Sequence, residues 1–186
     1  YPALRVVLEH ITTEQAVRFV ETSRSTLAAT ITPHHLHINR NAMFEGGLRS
    51  DFYCLPVVKR ERHRLALRRA VTSGNPCFFL GTDSAPHQRA FKESYCGCAG
   101  IFNSPYALES YLEVFEEEGA LDRFEAFTSE YGAGFYDLPL NPNSITLTRR
   151  SHVVPENFRL GKDENSSEYL VPFHAGESLN WSILEN

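Results

Sequence analysis

The segment from Pro76 to His87 places the strongest constraint on how this chain can fold. Phe78–Leu80 is a short apolar run between Pro76 and Gly81, a pattern typical of a buried β-strand. Asp83 and His87 follow the glycine, and in α/β folds the functional groups collect where strands end. A carboxylate beside a buried strand is costly unless it is paired or binds a metal, although Asp83 also fits an ordinary turn. The segment therefore predicts a strand whose carboxyl end carries either a turn residue or a functional one.

A second apolar run, Arg5–Leu8, ends in the same way, with Glu9 and His10 followed by a helical pattern. A lone histidine is more often a hydrogen-bonded structural residue than a ligand. Two metal-capable side chains at matching strand ends, however, indicate a shared metal site. We therefore predict that His10 and Asp83 bind one metal, with their ligand atoms within about 3–6 Å of each other, as ligand distances of about 2.0–2.2 Å require.

Strands and helices alternate along the chain, which predicts a parallel α/β sheet. Strands are expected over 4–10, 27–32 and 78–83, with one helix to about Val20 and another over 59–71. The arginines of the second helix are expected on its solvated face. The features that support the two helices are a capping box at Thr12 and Gln15 and the apolar stripes Ala16, Phe19, Val20 and Leu67, Ala70, Val71.

The C-terminal part of the sequence predicts helices followed by short antiparallel strands. Ser104 and Pro105 form a strong helix start, and Gly119 separates this helix from a second one. Ser144–Arg149 alternates as an antiparallel strand, and short strands continue to about Trp181. The residues expected to face the core are Ala107, Leu108, Tyr111, Leu112 and Phe115 of the first helix, with Leu121, Phe124, Thr128 and Tyr131 on the second.

Composition excludes several classes of protein. The 186 residues are 42% hydrophobic, which is enough for the core of one ordinary domain, and carry a net charge of −5, which argues against a nucleic-acid partner. No apolar run is long enough to span a membrane, and there is no signal-peptide pattern. The four cysteines lack zinc-finger spacing and are expected to be free thiols in a reducing cytoplasm.

Three histidines, His34, His35 and His37, lie close together in a region from 34 to 56 that shows no clean period. Loops of this length are usually functional or disordered. The three side chains suggest a metal site at first sight. No acidic or cysteine residue is adjacent in sequence, however, so hydrogen bonding within the loop is favoured over metal binding.

Six segments bring the chain close to a known family by their order and spacing. Together they closely resemble the C-terminal part of dihydroorotases of the bacterial-type stand-alone class, within the amidohydrolase superfamily. The resemblance extends from about Leu4 to Ala175–Glu177. The segments are Glu9–Thr13 (EHITT), Ala28–Pro33 (AATITP), Tyr53–Pro56 (YCLP), Gly81–His87 (GTDSAPH), Lys92–Ser94 (KES) and Cys96–Gly100 (CGCAG).

The resemblance implies a fold that is larger than this chain. The family fold is a (β/α)8 TIM barrel, which takes about 250 residues and rarely fewer than about 200, and the chain does not begin with Met. We therefore expect a single domain over 1–186 that is the C-terminal portion of such a barrel. The last three strands would lie within about 1–135, and a helical and short-strand extension would cover about 136–186.

The resemblance also implies a reaction and a set of site residues. Dihydroorotases interconvert N-carbamoyl-L-aspartate and L-dihydroorotate, a step in pyrimidine biosynthesis, at a centre of two zinc ions. By position, His10 and Asp83 match metal ligands, and Asp83 also matches the general acid/base. His87 and the backbone N–H of Ala99 match contacts to the substrate carboxylate, and the backbone of Leu55 matches a contact to the ring amide. The family further implies a cytoplasmic enzyme that is a homodimer at full length.

Some family features are not matched. The family also has a His-x-His pair on a first strand, a carboxylated bridging lysine and a further histidine. The sequence has three lysines, Lys59, Lys92 and Lys162, and none follows a predicted buried strand. We therefore expect the remaining ligands to lie outside this chain, and the chain alone to be inactive even with added zinc.

Two other functions fit parts of the pattern. A hydantoinase-like cyclic amidohydrolase would also place a histidine and an aspartate at strand ends, but the Leu55 and Ala99 segments favour dihydroorotase. A non-catalytic barrel that assembles with a partner enzyme is the alternative from another class. The presence of His10, Asp83 and His87 argues against it, because a scaffold does not need them.

Overall fold

A three-stranded parallel sheet organises the N-terminal part of the molecule. The computed structural model describes residues 1–161 and 168–184, so Lys162 lies outside the described residues. The strands are β1 (Val6–Leu8), β2 (Leu27–Ile31) and β3 (Phe78–Leu80), in the order β1-β2-β3. Both outer strands pair with β2 in parallel, so all three carboxyl ends lie along one edge. The predicted α/β class is confirmed, and each strand is shorter than predicted.

Helices connect and follow these strands. α1 (Glu14–Glu21) leads from β1 to β2, and α3 (Glu61–Val71) leads to β3, as the alternation predicted. Short 3₁₀ turns cover Arg40–Phe44, Ser50–Phe52, Ser104–Tyr106 and Leu121–Arg123, and a π-helical turn covers Ala126–Glu130. The helices are α1 (Glu14–Glu21), α2 (Pro33–His37), α3 (Glu61–Val71), α4 (Arg89–Lys92), α5 (Ala107–Glu117) and α6 (Tyr131–Tyr136).

The core lies between the sheet and the helices. Most of the predicted stripes are buried in it, including Leu67, Ala70 and Val71 of α3 and Tyr111 and Phe115 of α5. These apolar side chains supply most of the stabilisation of the fold, at about 25 cal/mol per Å² of apolar surface removed from water. The segment 43–58 adds a second, smaller cluster around Cys54, Val58 and Phe173.

Two predictions about α1 are wrong. The N-cap is Thr13, whose hydroxyl accepts from the Ala16 N–H, so Thr12 and Gln15 do not form the capping box. Phe19 is 58% exposed, whereas Val17 and Val20 are buried. The face of α1 that meets α3 and β2 carries these two valines, because packing against neighbours rather than the apolar pattern alone decides which face is buried.

The arginines of α3 are not all solvated, contrary to the prediction. Arg68 is 6% exposed, and its guanidinium donates to Glu117 and Glu118, both at 2.6 Å. Ion pairs with these two carboxylates at the end of α5 therefore offset the desolvation penalty of burying the guanidinium. Arg62 and Arg69 do lie on the exposed face.

The C-terminal region forms short antiparallel pairs, as predicted. β4 (Leu147–Thr148) pairs with β9 (Ser182–Ile183), β5 (His152–Val153) with β8 (Ser178–Leu179), and β6 (Phe158–Arg159) with β7 (Tyr169–Leu170). α6 ends at Tyr136, and the division of the chain near residue 135 stays a prediction. Over 1–161 and 168–184, no helix has the length and apolar character needed to cross a membrane.

Tyr111 connects α5 to the carboxyl edge of the sheet, which leads to a first prediction. Its ring is fully buried, and its hydroxyl donates to the Ile31 carbonyl at 2.6 Å. Tyr111→Phe leaves this oxygen without its donor, so we expect a loss of about 1–3 kcal/mol in the free energy of unfolding. Urea unfolding measures it. Tyr95→Phe, at a fully exposed tyrosine, is the control, and equal effects of the two changes would contradict the assignment.

Candidate active site

His10 and Asp83 occupy equivalent places on the sheet. His10 lies two residues after β1 and Asp83 three residues after β3, so both stand at the carboxyl edge on either side of β2. Both have left-handed backbones, with φ of +44° and +43°. This conformation is unusual for residues other than glycine and, where it occurs, is often found at functional sites. His10 and Asp83 therefore share the same backbone conformation as well as matching positions after their strands.

Thr30, near the end of β2, lies between these two strand ends. Its hydroxyl accepts from the His10 N–H at 2.8 Å, and its carbonyl accepts from the Ile11 N–H at 3.0 Å. On its other side, a Cβ on Gly81 would lie 2.7 Å from the Thr30 Cγ2, closer than real contacts allow. Glycine is therefore required at 81 for β3 to approach Thr30. The separation of the His10 and Asp83 ligand atoms stays a prediction.

The segments that carry Leu55, His87 and Ala99 are brought together. Gly100, with φ of +151°, packs so tightly that a Cβ there would lie 2.6 Å from the Ala85 carbonyl oxygen and 3.0 Å from His87 Cδ2. The Gly100 N–H donates to the Tyr53 carbonyl at 2.9 Å, which draws in the segment before Leu55. Pro56, which follows Leu55, lines a groove together with His10. The segments that carry Leu55, His87 and Ala99 therefore lie next to one another, and Pro56 lies beside His10 at the edge of the sheet.

Several functional groups of these residues form no hydrogen bond with the described part of the chain. His10 Nδ1 is buried and has no hydrogen-bond partner among the described residues. Within residues 1–161 and 168–184, no hydrogen bond reaches the Asp83 carboxylate, the His87 ring or the backbone N–H groups of Leu55 and Ala99. Asp83 and Leu55 are exposed to solvent, whereas His10, His87 and Ala99 are half-buried, where polar groups usually have partners. Free groups gathered at one edge are therefore available to bind a ligand or a metal.

His34, His35 and Cys54 form a buried group whose ligand atoms lie within 4.8 Å of one another. Both His35 nitrogens are already used, because Nε2 donates to the Pro56 carbonyl at 2.9 Å and Nδ1 accepts from Thr32 at 2.7 Å. Burial raises the pKa of the Cys54 thiol to about 11, which keeps it protonated. His34 Nδ1 lies 3.0 Å from the Asn103 side-chain nitrogen, whereas its buried Nε2 has no hydrogen-bond partner among the described residues. The bonds of His35 therefore favour the hydrogen-bonded role that the sequence favoured, while His34 keeps one open nitrogen.

His37 is also used internally. Its Nε2–H donates to the Ser110 carbonyl at 2.8 Å, and burial lowers its pKa to about 3. The three histidines lie on α2 rather than in an irregular loop, which corrects that part of the prediction. Thr32 caps this helix by accepting from the His35 N–H, and Pro33 occupies its first turn.

Sequence reasoning missed three residues that hold the site together. Ser84 accepts at its hydroxyl from the N–H groups of Asn103 and Ser104. The Asn103 amide donates to the Thr82 carbonyl at 2.8 Å, next to Asp83. Lys92 donates to three backbone carbonyls. For Lys92 the one signal was its place in the Lys92–Ser94 segment, because these contacts join residues far apart in sequence.

A larger concave region lies elsewhere on the surface. It encloses about 610 Å³ between α5, the π-helical turn and the segment 140–147. None of the predicted site residues lines it. Its size is therefore no reason to place the active site there.

The buried histidines predict a dependence of stability on pH. Desolvation lowers the pKa of His35 to about 4 and of His37 to about 3. Below about pH 6.5 the unfolded chain binds protons that the folded chain rejects, so stability falls as the pH drops. Each histidine contributes at most about 1.4 kcal/mol per pH unit. Urea unfolding between pH 7 and 4 should show this slope, and His37→Gln should reduce it. An unchanged slope would contradict the neutral, buried state of His37.

Comparison with known proteins gives close relatives. No protein-family model matches the chain. A dihydroorotase from Synechococcus sp. (strain CC9605) is 67% identical over 183 residues, which are 98% of this chain and 50% of that relative. A solved dihydroorotase from Saccharomyces cerevisiae, in complex with 5-fluoroorotic acid, matches with a TM-score of 0.87 and 31% identity over 99% of this chain and 52% of its own.

Hydantoinases share the fold only. The L-hydantoinase of Arthrobacter aurescens matches with a TM-score of 0.78 at 16% identity, over 97% of this chain and 43% of its own. These solved relatives are amidohydrolase barrels of the α/β class. The chain spans about half the length of the curated relatives that it matches. The high identity over nearly all of its residues confirms that the chain resembles dihydroorotases, over about half of their length.

Proposed function

We propose that this chain is the C-terminal portion of a dihydroorotase that interconverts N-carbamoyl-L-aspartate and L-dihydroorotate. The observation that carries this proposal is the 67% identity over 98% of the chain to a dihydroorotase. The geometry supports it, because free polar groups of the expected types surround the carboxyl edge of β1–β3. In this proposal the three strands are the last three of a (β/α)8 barrel, with the region after about 135 as an extension.

The residues at this edge fit a metal centre. His10 offers a buried nitrogen without a partner, and Asp83 offers a carboxylate without an ion pair within the described ranges, so this donor set suits zinc. We propose two zinc ions, whose further ligands come from outside this chain. Such a centre supplies a water that is acidic near neutral pH and polarises the carbonyl of the substrate.

The chain's own residues would move the proton and hold the substrate. Asp83, as a carboxylate at the centre, would accept a proton and return it to the amide nitrogen of the ring. The His87 ring and the Ala99 N–H would bind the substrate carboxylate, and the Leu55 backbone would bind the ring amide. The yeast relative was solved with 5-fluoroorotic acid, a pyrimidine that carries such a carboxylate, which supports this assignment.

The remaining expectations follow from the same proposal. The whole enzyme would be a cytoplasmic homodimer that acts on a small molecule. A hydantoinase-like activity is less well supported, because the likeness to hydantoinases is 12–16% identical and concerns the fold. A role as a non-catalytic assembly partner leaves the free groups of His10, Asp83 and His87 without a purpose.

A chimera with a related dihydroorotase tests the function, because the relative supplies the half of its own sequence that this chain does not match. The half of the Synechococcus dihydroorotase that aligns with this chain is replaced by the chain itself, and ring opening of dihydroorotate is followed. We expect activity from the chimera and at least a 100-fold loss of kcat with Asp83→Asn, within the roughly 10²–10⁴-fold worth of acid–base catalysis. Asparagine tolerates a positive φ, so the fold should be kept.

Asp137→Asn is the matched control for this change. Asp137 also has a positive φ, of +54°, and it pairs with Arg5 on the exposed surface. This variant should keep normal turnover. A chimera without activity would contradict the proposed function. An active Asp83→Asn variant with normal metal content would contradict only the acid–base role of Asp83.

His87 gives a prediction about binding. His87→Ala in the chimera removes a charge-assisted hydrogen bond to the carboxylate, worth roughly 1.5–3 kcal/mol, so kcat/KM for dihydroorotate should fall about 10- to 150-fold. Steady-state kinetics measure it, with His152→Ala in the C-terminal strands as the control. An unchanged kcat/KM would contradict the assignment of His87.

A further inference from the structure

Lys92 is a buried lysine at the end of α4 whose ammonium group is surrounded by backbone oxygens. It is 8% exposed, and its Nζ donates to the carbonyls of Tyr53 at 3.1 Å, Cys98 at 3.1 Å and Gly100 at 2.5 Å. A lysine has three ammonium donors, so each has its own acceptor. Burial lowers the pKa of this group. Within residues 1–161 and 168–184, no carboxylate forms an ion pair with it, so its charge is solvated by peptide dipoles.

These three carbonyls come from the two segments that are expected to contact the substrate through their backbones. Tyr53 lies two residues before Leu55, while Cys98 and Gly100 flank Ala99. The Tyr53 oxygen also accepts from the Gly100 N–H at 2.9 Å. Lys92 therefore fastens the Leu55 segment to the Ala99 segment, and it holds both the Cys98–Ala99 peptide and the Gly100–Ile101 peptide.

The direction of the Ala99 N–H follows from this contact. The Cys98 carbonyl and the Ala99 N–H belong to one planar trans peptide, so they point in opposite directions. Because the oxygen faces the ammonium, the N–H points away from it. No acceptor for this N–H is found in the described part of the chain. A cation on the oxygen also polarises the peptide, which makes the N–H a stronger donor.

We propose that Lys92 is a positioning residue for the substrate carboxylate, which aims and polarises the Ala99 N–H beside His87. This inference rests on the proposed function and extends it to the residue behind the anion site. His87 adjoins the same loop, since its Cδ2 lies against Gly100. The buried charge strengthens the attraction for a carboxylate without touching it, because charge-assisted donors bind anions more tightly than neutral ones.

A lysine that only ties two loops together would act differently. Its loss would loosen the whole site and weaken every ligand alike. Loss of a residue that aims one N–H at a carboxylate should weaken ligands that carry the carboxylate and spare those that lack it. The same loss should raise KM while leaving kcat little changed, because the proton transfer at Asp83 is elsewhere.

Lys92→Met in the active chimera tests the inference, because methionine keeps the length of the side chain without its charge or donors. Kinetics with dihydroorotate give KM and kcat, and titrations give the affinity for 5-fluoroorotic acid and for 5-fluorouracil, the same ring without the carboxylate. We expect KM to rise and the affinity for 5-fluoroorotic acid to fall by about 10-fold. The affinity for 5-fluorouracil and kcat should stay close to those of the parent.

Two further variants complete the experiment. Lys59→Met is the matched control, because Lys59 is a half-buried lysine whose ammonium donates to the Val57 carbonyl, and it should leave all values unchanged. Lys92→Arg keeps the charge but not the three-donor geometry, so it should restore part of the lost affinity for 5-fluoroorotic acid.

Each outcome decides a point. No loss, or equal losses for both ligands, overturns the inference and leaves the proposed function standing. If 5-fluorouracil binds too weakly to measure, the split between KM and kcat decides. If Lys92→Met does not fold, a folded Lys92→Arg variant must show the same selective loss at smaller size, and failure of both variants to fold makes the role structural and ends the inference. An inactive parent chimera instead rejects the proposed function.

Discussion

The parallel pairing of three strands around β2 is the constraint on which the rest of the structure depends. Because β1 and β3 both run parallel to β2, their carboxyl ends meet at one edge, and side chains 73 residues apart in sequence, His10 and Asp83, stand on either side of Thr30. An antiparallel strand in either place would send one of them to the opposite edge. α5 supports the arrangement from behind, through the hydroxyl of Tyr111 on the Ile31 carbonyl.

Polar groups in this molecule divide into two kinds. Those of His35 and His37 and the Asn103 side-chain nitrogen are paired with backbone or side-chain partners and keep the loops in place. His10 Nδ1 and the Ala99 N–H have no partner in the described residues, and neither do His34 Nε2 and Asn103 Oδ1. Since an unpaired polar group lowers stability, the second kind shows where the fold gives up stability at its candidate site.

The sequence predicted the sheet and the placement of the candidate site, because both follow from local patterns. Short apolar runs bounded by proline and glycine indicated the strands, and the parallel alternation then brought His10 and Asp83 to one edge. The prediction that Phe19 lies on the buried face of α1 was wrong, and so was the prediction that the arginines of α3, including Arg68, are solvated. Both depend on partners distant in sequence, namely α3 and the end of α5. The carbonyl cage of Lys92 was invisible for the same reason, since Tyr53 is 39 residues away.

The close approach of Gly81 to Thr30 makes the residue type allowed at one position depend on the residue at the other. Thr30 lies in β2, and Gly81 directly follows β3. A larger residue at 81 requires a smaller one at 30, because the space between them is already filled. Replacing Thr30 by alanine or glycine would make that room, but it would also remove the hydroxyl that holds the His10 N–H. A side chain at 81, or the loss of the hydroxyl at 30, would therefore disturb the backbone at His10.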